Sequence, residues 1–243
     1  IAAARRARPG WPASLDERAT DFIRMLMRFC RPDGRPAVAP SDAKPRAFWK
    51  RIAREFSADD VERVLSWWFP GYEAEPTPPP LPAWSSPDRA LGVLRADWTP
   101  RGDFLAFDQR RETVGTRFEL FGAGVPWLGP IWSAPAPSGA TATTQAAAPT
   151  AWGTNSSADV AEWTFRAGGR SVSRMALMLR GRRLAILADQ VDGVEPGAPW
   201  ECRTAVPDVL TVEPLADAGG LVLRKRPGGK AAQLIPVGGG RLT

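Results

Sequence analysis

Leu91-Gly-Val-Leu-Arg-Ala-Asp-Trp98, Phe104-Leu-Ala-Phe-Asp108 and Arg117-Phe-Glu-Leu-Phe-Gly-Ala-Gly-Val-Pro-Trp127-Leu-Gly-Pro-Ile-Trp132 are the three runs that decide the fold. Each is short, apolar and aromatic. They are separated by a Pro-Arg-Gly break after Thr99 and by a charged link that starts at Gln109. Spacing by two puts Leu94, Ala96 and Trp98 on one face of a strand, Leu105 with Phe107 on another, and Phe118 with Leu120 on a third. Runs this short, bounded by turn residues, pair antiparallel.

Downstream the strand pattern pauses and then resumes. Residues 133–158 are rich in Ala, Ser, Thr and Pro with almost no charge, which predicts a long exposed loop. Val160 to Phe165, Arg170 to Leu179 and Arg183 to Asp189 follow as strands, broken at Gly168-Gly169 and Gly181. Later runs at 199–206, 209–215, 220–226 and 231–237 are again short and turn-bounded. The whole of 91–243 is therefore expected as an antiparallel β-sandwich.

Upstream the period changes. Residues 1–13 form an arm. Ser14-Leu-Asp-Glu17 has capping-box spacing, and Phe22, Ile23, Leu26, Phe29 and Cys30 mark an amphipathic stripe that Pro32-Asp-Gly34 ends. A second helix capped by Ser41 is expected through Phe56, with Phe48, Ile52 and Phe56 inward. A third starts at Ser57-Ala-Asp-Asp60, carries Val61, Val64, Leu65 and Trp68, and ends at Phe69-Pro70. Residues 1–69 are thus a helical segment of three helices. Residues 70–90, with seven prolines, read as a semi-rigid linker. The fold class is α+β, mainly β.

Several of these pieces, in this order, resemble the C-terminal part of the heparinase II/III-like polysaccharide lyases. Leu94-Arg-Ala-Asp-Trp98, Phe104-Leu-Ala-Phe-Asp108 and Gly124-Val-Pro-Trp-Leu-Gly129 match the family's sandwich start. The strand from Arg170 through Arg174 to Leu179, followed by Arg183-Leu-Ala-Ile-Leu-Ala-Asp189, matches a later strand pair. Phe29-Cys-Arg-Pro-Asp-Gly-Arg-Pro36 looks like a link near the end of the family's helical toroid. The resemblance implies the last toroid helices followed by the sandwich. It also implies a periplasmic, envelope or extracellular setting, and a His-bearing turn between Asp108 and Phe118. That turn reads Gln109-Arg-Arg-Glu-Thr-Val-Gly-Thr-Arg117 here, and the 243 residues contain no histidine.

Lyase chemistry needs a base for the proton beside a uronic carboxylate and an acid for the leaving oxygen. Without histidine, and with its single tyrosine, Tyr72, in a Pro-flanked loop, this sequence offers no catalytic residue. It also offers no metal-ligand spacing and no cofactor motif. Its charge is +6, and arginine greatly outnumbers lysine. That composition suits forked pairing with carboxylate or sulfate. Arg110, Arg111 and Arg117 in the altered turn are the candidate anion contacts, against the alternative of a solvated charged turn. Trp127 and Trp132 are candidates to stack on a sugar ring, against the alternative of core filling. Nucleic-acid binding has only net charge in its favour, and no apolar run is long enough to span a bilayer. The leading expectation is a catalytically degenerate relative that binds acidic polysaccharide, or a structural subunit joined to other protein subunits. The rival is part of an active lyase whose His and Tyr lie on another chain or a further N-terminal region. Cys30 and Cys202 are expected as separate thiols, with a bond between them left open.

Overall fold

The computed structural model describes residues 12–37, 45–56, 58–88, 90–109, 115–142, 148–195, 198–215, 219–229 and 231–236. Its first strands pair in sequence order. β1 (Trp84–Ser85), β2 (Leu91–Arg95), β3 (Phe104–Asp108), β4 (Gly115–Gly122) and β5 (Val125–Leu128) make an antiparallel meander. β6 (Ile131–Ser133) joins the same side of β4 as β5, opposite Gly115 to Arg117. Register sets Leu91 against Asp108, Arg95 against Phe104, and Asp108 against Arg117.

β7 (Ala136–Pro137) is a short excursion. β8 (Ala148–Thr154), β9 (Ala158–Ala167), β10 (Arg170–Leu179) and β11 (Leu184–Val191) then form a second antiparallel sheet in the order β11-β10-β9-β8. The segment 133–158, expected as one long exposed loop, thus carries β7 and β8. Its small, uncharged residues let β8 pair along β9 from Thr164 to Asp159, a pairing that needs no large side chain to announce it. β12 (Trp200–Glu201) pairs with β7, and β13 (Leu210–Leu215), β14 (Gly220–Lys225) and β15 (Ala231–Leu234) make a small third sheet.

The first two sheets face each other as a sandwich. Leu94, Leu105, Phe107 and Phe118 from one layer meet Ala161, Trp163, Ala176 and Met178 from the other, with Leu210 and Leu223 of the small sheet packed on the same core. β9 and β10 alternate strictly between covered and more open residues, because only one face of that sheet is buried. β2 and β3 are buried almost end to end. Their outer face, with Val93, Phe104, Ala106 and Phe121, forms a further core with Ala37 and Phe29 on the helical side.

That outer layer holds α1 (Ala13–Arg28), α2 (Pro45–Phe56) and α3 (Asp59–Trp68). In α3, Val61, Val64, Leu65 and Trp68 are buried as the period predicts. In α1 and α2 the buried stripe is displaced. α1 buries Ala19, Ile23 and Met27 and leaves Phe22 half exposed, and α2 buries Trp49 and Ala53 in place of Phe48. Trp49 takes the inward position because its indole N–H finds a buried acceptor, Gly34 O, at 3.0 Å. Gly34 has φ +78, and a Cβ there would meet Phe69 at 2.7 Å. The expected cap also fails: Ser14 lies inside α1, whose N-cap is Pro12 with no side-chain bond. Ser41 and Ser57, the other expected caps, lie outside the described residues.

The proline-rich stretch is strapped down. Pro80 O accepts from the Trp98 indole at 2.7 Å, and Leu81 O accepts from Arg28 Nε at 2.9 Å. Trp98, expected to share a face with Leu94, packs instead with the helices. β2 ends at Arg95, so the alternation that the sequence suggests stops before it reaches Trp98. No described helix is long and apolar enough to cross a membrane.

Candidate functional site

β3 ends and β4 begins at one end of the sandwich, and a chain of polar groups runs inward from Gln109 there. Gln109 leaves β3 with its N–H donating to Ala90 O at 2.8 Å. β4 opens on Gly115, where a Cβ would lie 2.3 Å from Trp132 O, so only glycine allows β6 this close. Thr116 follows, buried, and its hydroxyl faces both Gln109 and Arg174 of β10.

Arg174 is fully buried, and every one of its N–H groups is engaged. Nε donates to Asp189 Oδ1 at 2.7 Å and Nη2 to Asp189 Oδ2 at 2.8 Å, a two-pronged ion pair. Nη1 donates to Thr116 Oγ1 at 2.9 Å and to Trp132 O at 2.8 Å, and Nη2 also donates to Ser133 O at 2.5 Å. The Trp132 ring lies 4.1 Å from the guanidinium carbon, and its indole N–H donates to Asp189 Oδ2 at 3.1 Å. One buried charge pair therefore ties β4, β6, β10 and β11 together.

The same bonds orient Gln109. A guanidinium can only donate, so Thr116 Oγ1 accepts from Arg174 and its single hydrogen is left to donate. It goes to Gln109 Oε1 at 3.2 Å. The Gln109 amide NH2 is then turned away and has no partner. The chain from Asp189 through Arg174 and Thr116 thus ends on a buried, unpaired amide donor.

This arrangement binds better than it transfers protons. Asp189 accepts three hydrogen bonds, from Arg174 Nε and Nη2 and from the Trp132 indole, so both its oxygens are engaged inside the clamp. The Cys202 thiol donates to Ser133 O at 3.2 Å. Although the residue as a whole is exposed, desolvation of its sulfur, followed by the Asp189 carboxylate, pushes its pKa up to about 12, against the pull of Arg174. It is a thiol, not a nucleophile, at neutral pH. Cys30 is likewise free. Tyr72 packs on the helical core. Asp97 caps its own turn, accepting from Thr99 N at 2.7 Å and Thr99 Oγ1 at 2.6 Å.

The residues expected from sequence fall in three places. Arg117 is exposed on β4, across from Asp108 on one side and Ile131 on the other. Arg110 and Arg111 lie outside the described residues. Trp127 and Trp132 are 7% and 6% exposed. Trp127 donates its indole N–H to Gly122 O at 3.0 Å. Trp132 is held between Arg174 and Phe118. Protein atoms occupy the faces that a sugar ring would need, which is the core-filling alternative. Gln109 and Thr116 carried no sequence signal; Arg174 and Asp189 were visible only as scaffold positions.

Among the described residues, three helices laid on a sandwich with a meander as its central layer define an α+β, mainly β protein. A heparan sulfate lyase, HepC, from Pedobacter heparinus is structurally similar. A mutant form matches with a TM-score of 0.73 at 14% identity, over 99% of this chain and 42% of that one. A second structure of the same lyase matches with a TM-score of 0.61 at 14% identity, over 88% of this chain and 40% of that one. At this identity the likeness is one of fold, a distant structural relationship, and this chain spans about two fifths of the lyase's length. No family model and no curated protein matches the sequence.

Proposed function

We propose that this chain binds acidic polysaccharide without cleaving it. The observation that carries the reading is the β3–β4 hairpin. On a fold similar to that of a heparan sulfate lyase, its turn replaces the histidines implied by the sequence resemblance with Gln109, Arg110, Arg111 and Arg117. Guanidinium forks suit carboxylate and sulfate groups. The carboxylate behind them is saturated by donors, and no imidazole is available to remove a proton. Indole stacking by Trp127 or Trp132 is set aside in favour of this charge-based contact, since both rings are buried.

Titration with heparin, alginate and polyuronate, followed at rising salt, tests it. Binding that weakens steeply with salt is expected, and Arg110→Ala/Arg111→Ala/Arg117→Ala weakens it further. Appearance of the ultraviolet band of unsaturated uronates would instead mark a lyase. A second reading is favoured by one observation, the 42% share of the lyase's chain that is matched. On that reading, the chain is the non-catalytic part of an active lyase, or a structural subunit, and the proton-transfer groups lie elsewhere. Activity that appears only when a further region or partner protein is added would decide for it.

A further inference from the structure

The turn closing the β10–β11 hairpin reads Arg180-Gly-Arg-Arg183, three arginines in four residues. It follows the last cross-strand pair, Leu179 with Leu184. We infer that it is a second contact for the sulfate or carboxylate groups of an acidic polysaccharide, at the far end of the sandwich from the β3–β4 hairpin. The inference rests on the reading that the chain binds such a polymer.

The turn has a fixed base and a free tip. Arg180 N–H donates to Ser157 O at 2.8 Å, and its Nη2 donates to Asp159 Oδ1 at 2.6 Å and Thr154 Oγ1 at 2.9 Å. Asp159 is fully buried, so this ion pair pins the start of the turn to the β8–β9 connection and consumes one of the three charges. Arg182 and Arg183 are exposed. Among the described residues, no carboxylate forms an ion pair with either. The nearest acidic influence is Asp103, at the start of β3, whose pKa burial raises and Arg183 lowers. Two exposed guanidiniums outside any ion pair, with only the Coulombic influence of Asp103 on Arg183, thus project from a rigid support.

The backbone adds an independent sign. Arg183 has φ +49, in the left-handed region where glycine or asparagine rests easily and a long side chain does not. A left-handed arginine that forms no ion pair within the fold is a candidate for a use outside it. The turn carries no aromatic residue on which a base could stack, so a saccharide chain fits it better than a single-stranded nucleic acid.

Heparin affinity measured at several salt concentrations tests the inference on the whole chain. Arg182→Ala/Arg183→Ala is expected to weaken binding about tenfold and to lower the salt slope by about two released ions, at an unchanged melting temperature. Arg183→Gly is expected to weaken binding while keeping or raising the melting temperature, because it removes the strain and the charge together. If the native chain binds heparin and the double variant matches it in affinity and slope, the tip has no role, and the hairpin reading stands alone. If the native chain binds no acidic polysaccharide, the functional reading falls and this inference with it. Single-stranded DNA that displaces heparin through the same two arginines would overturn the choice of partner.

Discussion

Cys30 shows how much one buried group says about pH. It sits just beyond α1, buried, bridged to Pro36, with its N–H donating to Met27 O at 3.0 Å. Burial pushes its thiol from 9.0 up to about 12, with Arg95 pulling the other way. Between those values the native state keeps a proton that the unfolded chain has released. The thiol's own contribution to stability therefore falls as pH rises through that window and is unaffected below it. Cys30→Ala removes the slope and leaves a cavity cost of about 1 kcal/mol at every pH. The native chain's advantage over Cys30→Ala in urea unfolding is thus expected to shrink by about 1.4 kcal/mol per pH unit above the thiol's ordinary pKa. An advantage equal at neutral pH and at about pH 10 would mean that the thiol ionises inside the fold. The neighbouring Arg95 is also fully buried, and burial pulls its pKa down to about 9, so it stays charged at neutral pH. It donates to Arg28 O and Cys30 O and rests on the rings of Trp98 and Phe104, at 4.8 and 4.4 Å. No sequence pattern distinguishes this arginine from a solvated one, since a cation made tolerable by aromatic faces and carbonyls needs partners distant in the chain.

Between elements, the decisive contact is the Arg174–Asp189 pair. Asp189→Ala leaves a fully buried guanidinium without its counter-charge, at an expected cost of about 3–5 kcal/mol. Replacing both partners, as in Arg174→Met/Asp189→Leu, is expected to recover most of that loss. Chemical denaturation of the single and double variants measures the difference; a single variant within about 1 kcal/mol of the native chain would show that the pair is not the clamp. The limits of sequence reading lie at this scale. β9 and β10 were legible because one buried face imposes an alternation that composition cannot hide, and β11 because its apolar run Leu184 to Ala188 follows the Gly181 turn. β2 and β3 were legible as strands, yet their partners were not, because a strand covered on both faces reads the same whatever covers it. The stripes of α1 and α2 were displaced by a residue or so, since Trp49 wins the interior through a hydrogen bond to Gly34 that spacing does not encode. In the candidate site the arginines between Asp108 and Phe118 were readable as charges. Gln109 and Thr116 were not, because their role comes from an arginine more than fifty residues away.

For the whole molecule, the helical layer and the sandwich share a boundary too apolar to be left open. Trp98 leaves the end of β2 to join the helical core, and the Trp68 indole donates to Trp98 O at 2.9 Å. Arg31, just past α1, forms a two-pronged ion pair with Glu119 of β4 at 2.6 and 2.9 Å. Removing residues before Trp84 would expose Val93, Phe104, Ala106 and Phe121 together and strip Arg95 of its carbonyl acceptors. A patch of that kind on a sheet drives association rather than a stable monomer. The full chain is therefore expected to unfold in one transition, with tryptophan fluorescence and far-ultraviolet circular dichroism coinciding along a urea series. The chain shortened to begin at Trp84 is expected to aggregate at concentrations where the full chain stays monodisperse in light scattering. A soluble, cooperatively folded sandwich without its helices would show that the helices are an appendage. The polysaccharide contacts proposed at the two hairpins would then belong to an independent module rather than to a three-layer body.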